Sequence, residues 1–341
     1  MTFYKVANSG NRILMSPGML AQVSQLLKPN ALLIADPSIR LFNGIGDHGN
    51  IQQQSSDSQE RKAHTKWIKF VETLLDSNSS LAPYLWACVG GSRKDGIKHS
   101  FLNLKESFDD KIAAYGLVLP TPSPYTEESD NSAGFSRDAW TENLDTFCHH
   151  VESINKPRFL IGASSFRDIA LAISKGIDIV DDSWIEEESL KGRALFVDFT
   201  TPLSDFILES KEKHPDNGRV KKMDSFTAYF DLMPTGKRAT KKYGQQNNPS
   251  ASGESITQVT VKPVDQWKLD VSILDSNCSC WTCTRPHTRA YIHHLLCVND
   301  MLSYVMLQHH NLYQLQKFVA QIRESITKET FEQDFKNFNS E

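Results

Sequence analysis

The chain is 341 residues long, 39% hydrophobic and 23% charged, which is ordinary for a globular protein and enough to bury one large core or two smaller ones. A net charge of −4 excludes a protein that grips nucleic acid by bulk positive charge alone, though not one with a local basic face. No run approaches the ~18 apolar residues of a membrane span, and the opening MTFYKVANSGNRILM lacks the apolar core of a secretory signal.

In chain order, residues 12–15 read as a strand, and Ser16-Pro17 as an N-cap with proline at the first helical position. The helix that follows carries Met19, Val23, Leu26 and Leu27. Residues 31–35 form a second buried strand, closed by Asp36-Pro37. A loop rich in Gly, Asn, Gln and Ser leads to an amphipathic helix over 58–75, with Trp67, Phe70, Val71 and Leu74 at helical spacing. A strand over 85–89 ends at Gly90-Gly91, and a helix over about 97–114 precedes a strand over 117–119. After a Pro/Ser/Asp-rich loop come a helix over about 138–151, a strand over 159–161, a helix over about 166–174 and a strand over 177–180.

Repeated strand–helix units with near-continuous apolar strands predict an α/β fold, a parallel sheet covered by helices. Six strands satisfy an open doubly wound sheet and fall two short of a closed (β/α)8 barrel, so the local pattern leaves both open. Beyond residue 202 the pattern degrades into Lys237-Arg238-Ala239-Thr240-Lys241-Lys242 and the polar run 245–250. That stretch reads as a solvated insertion or, more sharply, as a basic contact to phosphate. A long helix is expected over 288–307, with its polar side near His293, His294 and Asn299 free for another subunit, and an amphipathic helical tail over 315–338. The division is then 1–201 for the strand–helix units, 202–264 for a polar, partly disordered insertion, and 265–341 for a metal-binding subdomain with C-terminal helices.

Six cysteines, three of them within six positions, do not look like a disulfide framework and point to a reducing, cytosolic compartment. Cys278-Ser279-Cys280-Trp281-Thr282-Cys283 puts three thiols on one tight turn, and Zn2+ prefers soft thiolates in a tetrahedron. A histidine closes the fourth corner; His287, His293, His294, His309 and His310 are candidates. With all four corners filled, a single zinc ion would be structural rather than catalytic.

The run from Cys278 through Arg285-Pro286-His287-Thr288-Arg289-Ala290-Tyr291-Ile292-His293-His294-Leu295 closely resembles the zinc segment of the tRNA-guanine transglycosylase family. Phe331-Glu332-Gln333-Asp334-Phe335 resembles the family's C-terminal helix, and Arg158-Phe159-Leu160-Ile161-Gly162 with Gly176-Ile177-Asp178-Ile179-Val180-Asp181 resembles the approach to its last barrel strand. The resemblance implies a (β/α)8 TIM-barrel-type fold with a zinc subdomain near the C-terminus, ligated by Cys278, Cys280, Cys283 and His310. Counting back from the last strand places Ile13 at about the third, so the first one or two strand–helix units are expected to be lacking.

Family members exchange guanine at the tRNA wobble position for queuine or a related base, in tRNAs with GUN anticodons, through an aspartate nucleophile. Asp181 falls at that position, but the family's Cys-Val-x-Pro-Thr-Arg is replaced by Asp182-Ser183-Trp184-Ile185-Glu186-Glu187, which sets an acid where a phosphate-binding arginine would be. The Asp-Ser-Gly-Gly-Phe-Gln segment is missing, Gly90-Gly91 and Pro120-Thr121-Pro122 replace base-reading motifs, and only Asp36 suggests a base-edge contact. This pattern resembles the family's accessory branch. It implies no catalysis by this chain (Asp181 being vestigial) and a heterodimer with a catalytic queuine tRNA-ribosyltransferase subunit through the zinc region. It also implies contact with tRNA through the complex, no DNA, and a cytoplasmic location with the mitochondrial outer membrane as a peripheral alternative. The competing expectation is an active transglycosylase using Asp181.

Overall fold

A computed structural model describes residues 2–5, 12–35, 57–91, 93–119, 136–200, 220–222, 227–233 and 267–339. Asp36, Pro120-Thr121-Pro122, the basic run 237–242 and the polar run 245–250 lie outside the described residues. The chain divides into two compact units, Met1–Asp181 and Asp182–Glu341.

In the first unit, β1 (Thr2–Lys5) pairs antiparallel with β2 (Arg12–Met15). The expectation that residues 12–15 join the parallel sheet is therefore corrected. Only six residues separate the two strands, too few for the crossover a parallel pair requires. Helix α1 (Pro17–Leu27) starts as its cap predicts, with Ser16 Oγ accepting the Met19 N–H at 3.2 Å.

Then come β3 (Leu32–Ala35), α2 (Asp57–Ser77), β4 (Leu85–Gly90), α3 (Lys94–Phe108), β5 (Ala114–Val118), α4 (Arg137–Val151), β6 (Arg158–Ile161), α5 (Phe166–Ser174) and β7 (Ile179–Val180). The five strands pair in parallel in strict chain order, β3-β4-β5-β6-β7, each joined to the next through a helix. A doubly wound sheet reverses its order at a switch point; this one does not. The described sheet is a parallel α/β sheet wound in one direction, and its first described strand is Leu32–Ala35 rather than residues 12–15.

Side-chain alternation gives the sheet two different faces. Leu85, Ala87, Val89, Tyr115, Leu117 and Leu160 point to the helices and meet Trp67, Val71, Leu74, Phe101, Leu144 and Phe147 in the main core. The other face carries a smaller cluster of Cys88, Ala114, Val118 and Phe159, flanked by Trp86 and Ile161. Gly116 decides how that cluster packs. A Cβ there would lie 2.1 Å from Phe159 Cζ, so only glycine lets the ring cross β5 and reach Trp86, 5.4 Å away between centroids. Gly116→Ala is expected to destabilise the first unit by about 2 kcal/mol through overpacking. An unchanged denaturation midpoint in this variant would refute the seating of Phe159.

The second unit begins with α6 (Ser183–Leu190), which turns through Gly192 (φ +74°) into β8 (Arg193–Val197). β10 (Thr227–Asp231) pairs antiparallel with β8 on one side and β9 (Val220–Lys222) on the other. Every residue of β10 is buried, although it lies within the segment read as a polar insertion. Among the described residues three helices complete the unit: α7 (Arg289–Val298), α8 (Met301–Thr327) and α9 (Phe331–Asn339).

The single helix expected over 288–307 is in fact two. Asn299 adopts a left-handed φ of 58° and closes α7, and Asp300 caps α8 by accepting the Leu302 N–H at 2.8 Å. Among the described residues no helix is long and apolar enough to cross a membrane.

Candidate metal centre

The cysteine turn is built from local hydrogen bonds. Asp275 Oδ1 accepts the Asn277 N–H at 2.8 Å, and Cys280 O accepts both the N–H and the Oγ1–H of Thr284, at 3.0 and 2.9 Å. Thr282, fully buried, donates its hydroxyl to Met306 O at 2.8 Å and so ties the turn to α8. The result is one cluster in which Cys278, Cys280, Cys283 and His310 bring their ligand atoms within 4.8 Å of one another, all four residues buried.

The distances suit a tetrahedral ion. Bonds of about 2.3 Å to sulfur and 2.05 Å to nitrogen would separate the two donors by roughly 3.6 Å. His310 Nδ1 lies 3.7 Å from Cys280 Sγ and 3.4 Å from Cys283 Sγ. The other ring nitrogen, Nε2, is 2.9 Å from Leu195 O, an acceptor, so Nε2 carries the proton and Nδ1 turns its lone pair on the thiols.

Electrostatics favours a cation here. Hydrogen bonds from Cys278 and then Cys283 pull the Cys280 thiol far below its ordinary range, while the contacts with Cys278 and Cys280 hold Cys283 far above it. Burial works against a charged His310, but its contacts with the Cys278 and Cys280 sulfurs outweigh that and raise its pKa to about 9. Three thiols this close cannot all ionise without a positive charge between them, and a divalent ion supplies it.

The second unit is organised around this centre. Asn311, next to His310 and fully buried, accepts the Leu195 N–H (2.8 Å) and donates to Arg193 O and Ser189 Oγ (2.9 Å each). Together with the His310–Leu195 bond it satisfies the edge of β8 in place of another strand. Sequence reasoning gave Asn311 no role; the signal for it was an amide on the buried stripe of a helix.

The other candidate histidines go elsewhere. His293, expected on a free polar side, is buried, with Nδ1 2.8 Å from Leu232 O and Nε2 3.4 Å from Cys297 Sγ. His287 stacks on Tyr291, and both His287 and His309 lie against Trp281. His294 is exposed on α7, as is Asn299 beyond its end.

Asp181 ends the first unit, just past β7. Its Oδ1 accepts the Gly162 N–H at 2.9 Å and its own N–H donates to Leu160 O, so the carboxylate joins the ends of β6 and β7. In the acidic run that follows, Glu188 is buried, with one oxygen on Lys191 and the other on Arg193, both at 2.8 Å. Burial raises its pKa. Glu187, the acid read as standing in place of a phosphate-binding arginine, is exposed.

Residues 132–341 match the sequence model of the queuine tRNA-ribosyltransferase family, more than half of the chain. The chain belongs to that family. Queuine tRNA-ribosyltransferase accessory subunit 2 of Drosophila melanogaster is 50% identical over 302 residues, covering 86% of this chain and 56% of the relative. The Aedes aegypti protein of the same name is 25% identical over 84% of the chain and 56% of its own length. A queuine tRNA-ribosyltransferase of Prochlorococcus marinus (strain MIT 9312) is 23% identical over 97% of this chain and 66% of its own. The chain thus spans little more than half the length of the accessory-subunit relatives it matches.

Proposed function

We propose that this chain is a non-catalytic accessory subunit that pairs with a catalytic queuine tRNA-ribosyltransferase and supports the exchange of guanine for queuine at the tRNA wobble position. The observation that carries the reading is the likeness, up to 50% identity, to proteins named as accessory subunit 2. The employment of Asp181 as a clamp on Gly162 supports it, because a carboxylate committed to a backbone N–H is poorly placed to attack a ribose. In this reading the parallel sheet is part of a barrel, the ion held by Cys278, Cys280, Cys283 and His310 is one structural Zn2+, and the complex acts in the cytoplasm. The ion orients α7 and α8 and performs no chemistry. The exposed side of α7, with Tyr291, His294 and Val298 at helical spacing, is the surface offered to the catalytic partner.

The test is base exchange on a tRNA substrate with labelled guanine. The chain alone is expected to be inactive and to stimulate its catalytic partner. Asp181→Asn keeps a side-chain acceptor for the Gly162 N–H and is expected to stimulate as well as wild type. A covalent RNA adduct formed by the chain alone and abolished in Asp181→Asn would overturn the reading in favour of an active transglycosylase.

A further inference from the structure

We propose that the outward face of α2 binds the phosphate backbone of an RNA, so that this chain touches the nucleic acid itself. The choice of RNA as the nucleic acid rests on the reading above; the surface is read from its charges. Between Glu60, which is buried, and Glu72 the helix carries Arg61, Lys62, Lys66 and Lys69 and no acid, and all four cations are exposed. No described residue forms an ion pair with any of them. Several lysines on other helices and their flanks are ion-paired, as in Lys94 with Glu142, Lys175 with Asp145, Lys317 with Asp198 and Lys328 with Glu324, while Lys98, Lys105 and Lys336 stand singly rather than in a row. The α2 row keeps its charge unspent.

Spacing and chemistry select the occupant. Lys62, Lys66 and Lys69 follow the i, i+4, i+7 stripe of one helix face and span roughly 10 Å, about the axial length of three phosphates along one strand. The buried stripe of the same helix, with His64, Trp67, Val71 and Leu74, is committed to the core, and Ser100 Oγ fixes His64 at 2.9 Å. The cationic face cannot roll inward. No large apolar side chain of α2 is exposed. An interface core between proteins is depleted in lysine and built on apolar anchors, and a membrane-surface helix needs apolar residues to insert. A row of cations without an anchor suits a ligand that is itself a row of anions.

The experiment measures binding of the whole chain to a fluorescent tRNA transcript across a salt series. The triple variant K62E/K66E/K69E is compared with K317E/K328E/K336E, which carries the same change in net charge on α8, its C-cap and α9. The α2 variant is expected to bind at least ~10-fold more weakly, and its log–log salt dependence to be shallower by about one unit per lost phosphate contact. K62Q/K66Q/K69Q, with melting checked against wild type, gives the same reading without charge reversal. Unchanged affinity and slope in the α2 variants, or an equal loss in the control triple, would overturn the proposal. Its failure is separable from that of the accessory reading. If wild type and the α2 variants stimulate the catalytic partner equally, at the same KM for tRNA, only the α2 contact is wrong; if wild type gives no stimulation, the accessory reading itself is wrong.

Discussion

Cys280→Ser is expected to leave the chain without its bound metal and to destabilise the second unit by on the order of 4 kcal/mol or more, since losing a metal site belongs to the small class of severe single changes. The reason is geometric. Cys280 is the hub of the turn: its carbonyl holds Thr284, its sulfur accepts the Cys283 N–H at 3.4 Å, and it faces His310 across the cluster. Metal analysis of the purified variant, beside a thermal melt, is the measurement. Full metal content in Cys280→Ser would remove the residue from the ligand set. The first unit has its own core and should melt as in wild type. Chelation of the wild-type chain should reproduce the loss. Acidification should too, because protons compete with the ion for the thiolates and binding weakens as pH falls.

Asn311→Leu is expected to be nearly as damaging, at about 3 kcal/mol, because it strands the Leu195 N–H without water. The Arg193 carbonyl and the Ser189 hydroxyl lose their donor as well. Leucine matches asparagine in side-chain heavy atoms but is bulkier, so the variant leaves no cavity and adds some overpacking to the loss of the hydrogen bonds. It leaves all four metal ligands in place, and its metal content should stay near that of wild type while its melting temperature falls. A variant as stable as wild type would mean that β8 finds other partners for its edge. If the metal is lost together with stability, Asn311 also positions His310, to which it is adjacent.

Much of this was legible in the residues. Three thiols spaced two and three apart can share one ion on one turn, because the chain closes that distance locally and needs no distant element to do it. Ser16-Pro17 opens α1 for the same local reason, since the cap hydroxyl reaches a donor three residues on. Alternating apolar strands and amphipathic helices gave the α/β class, whereas the helix break at Asn299-Asp300 was read through, although these residue types favour a left-handed turn and an N-cap.

The tertiary structure decided what depends on residues far apart in sequence. His309 and His310 are neighbours, yet a helix turns about 100° per residue, so one faces Trp281 at the surface and the other the thiols inside. Residues 12–15 look like any buried strand, and only the presence of Thr2–Lys5 as a partner made the pairing antiparallel. Asp181 meets the Gly162 N–H, nineteen positions away in sequence, only because folding sets the ends of β6 and β7 side by side. Asn311 serves the edge of a sheet because β8, more than a hundred residues earlier, has backbone groups that no other described strand satisfies. Local spacing sets what a segment can do, and the unpaired donors and acceptors brought to it by folding set what it does.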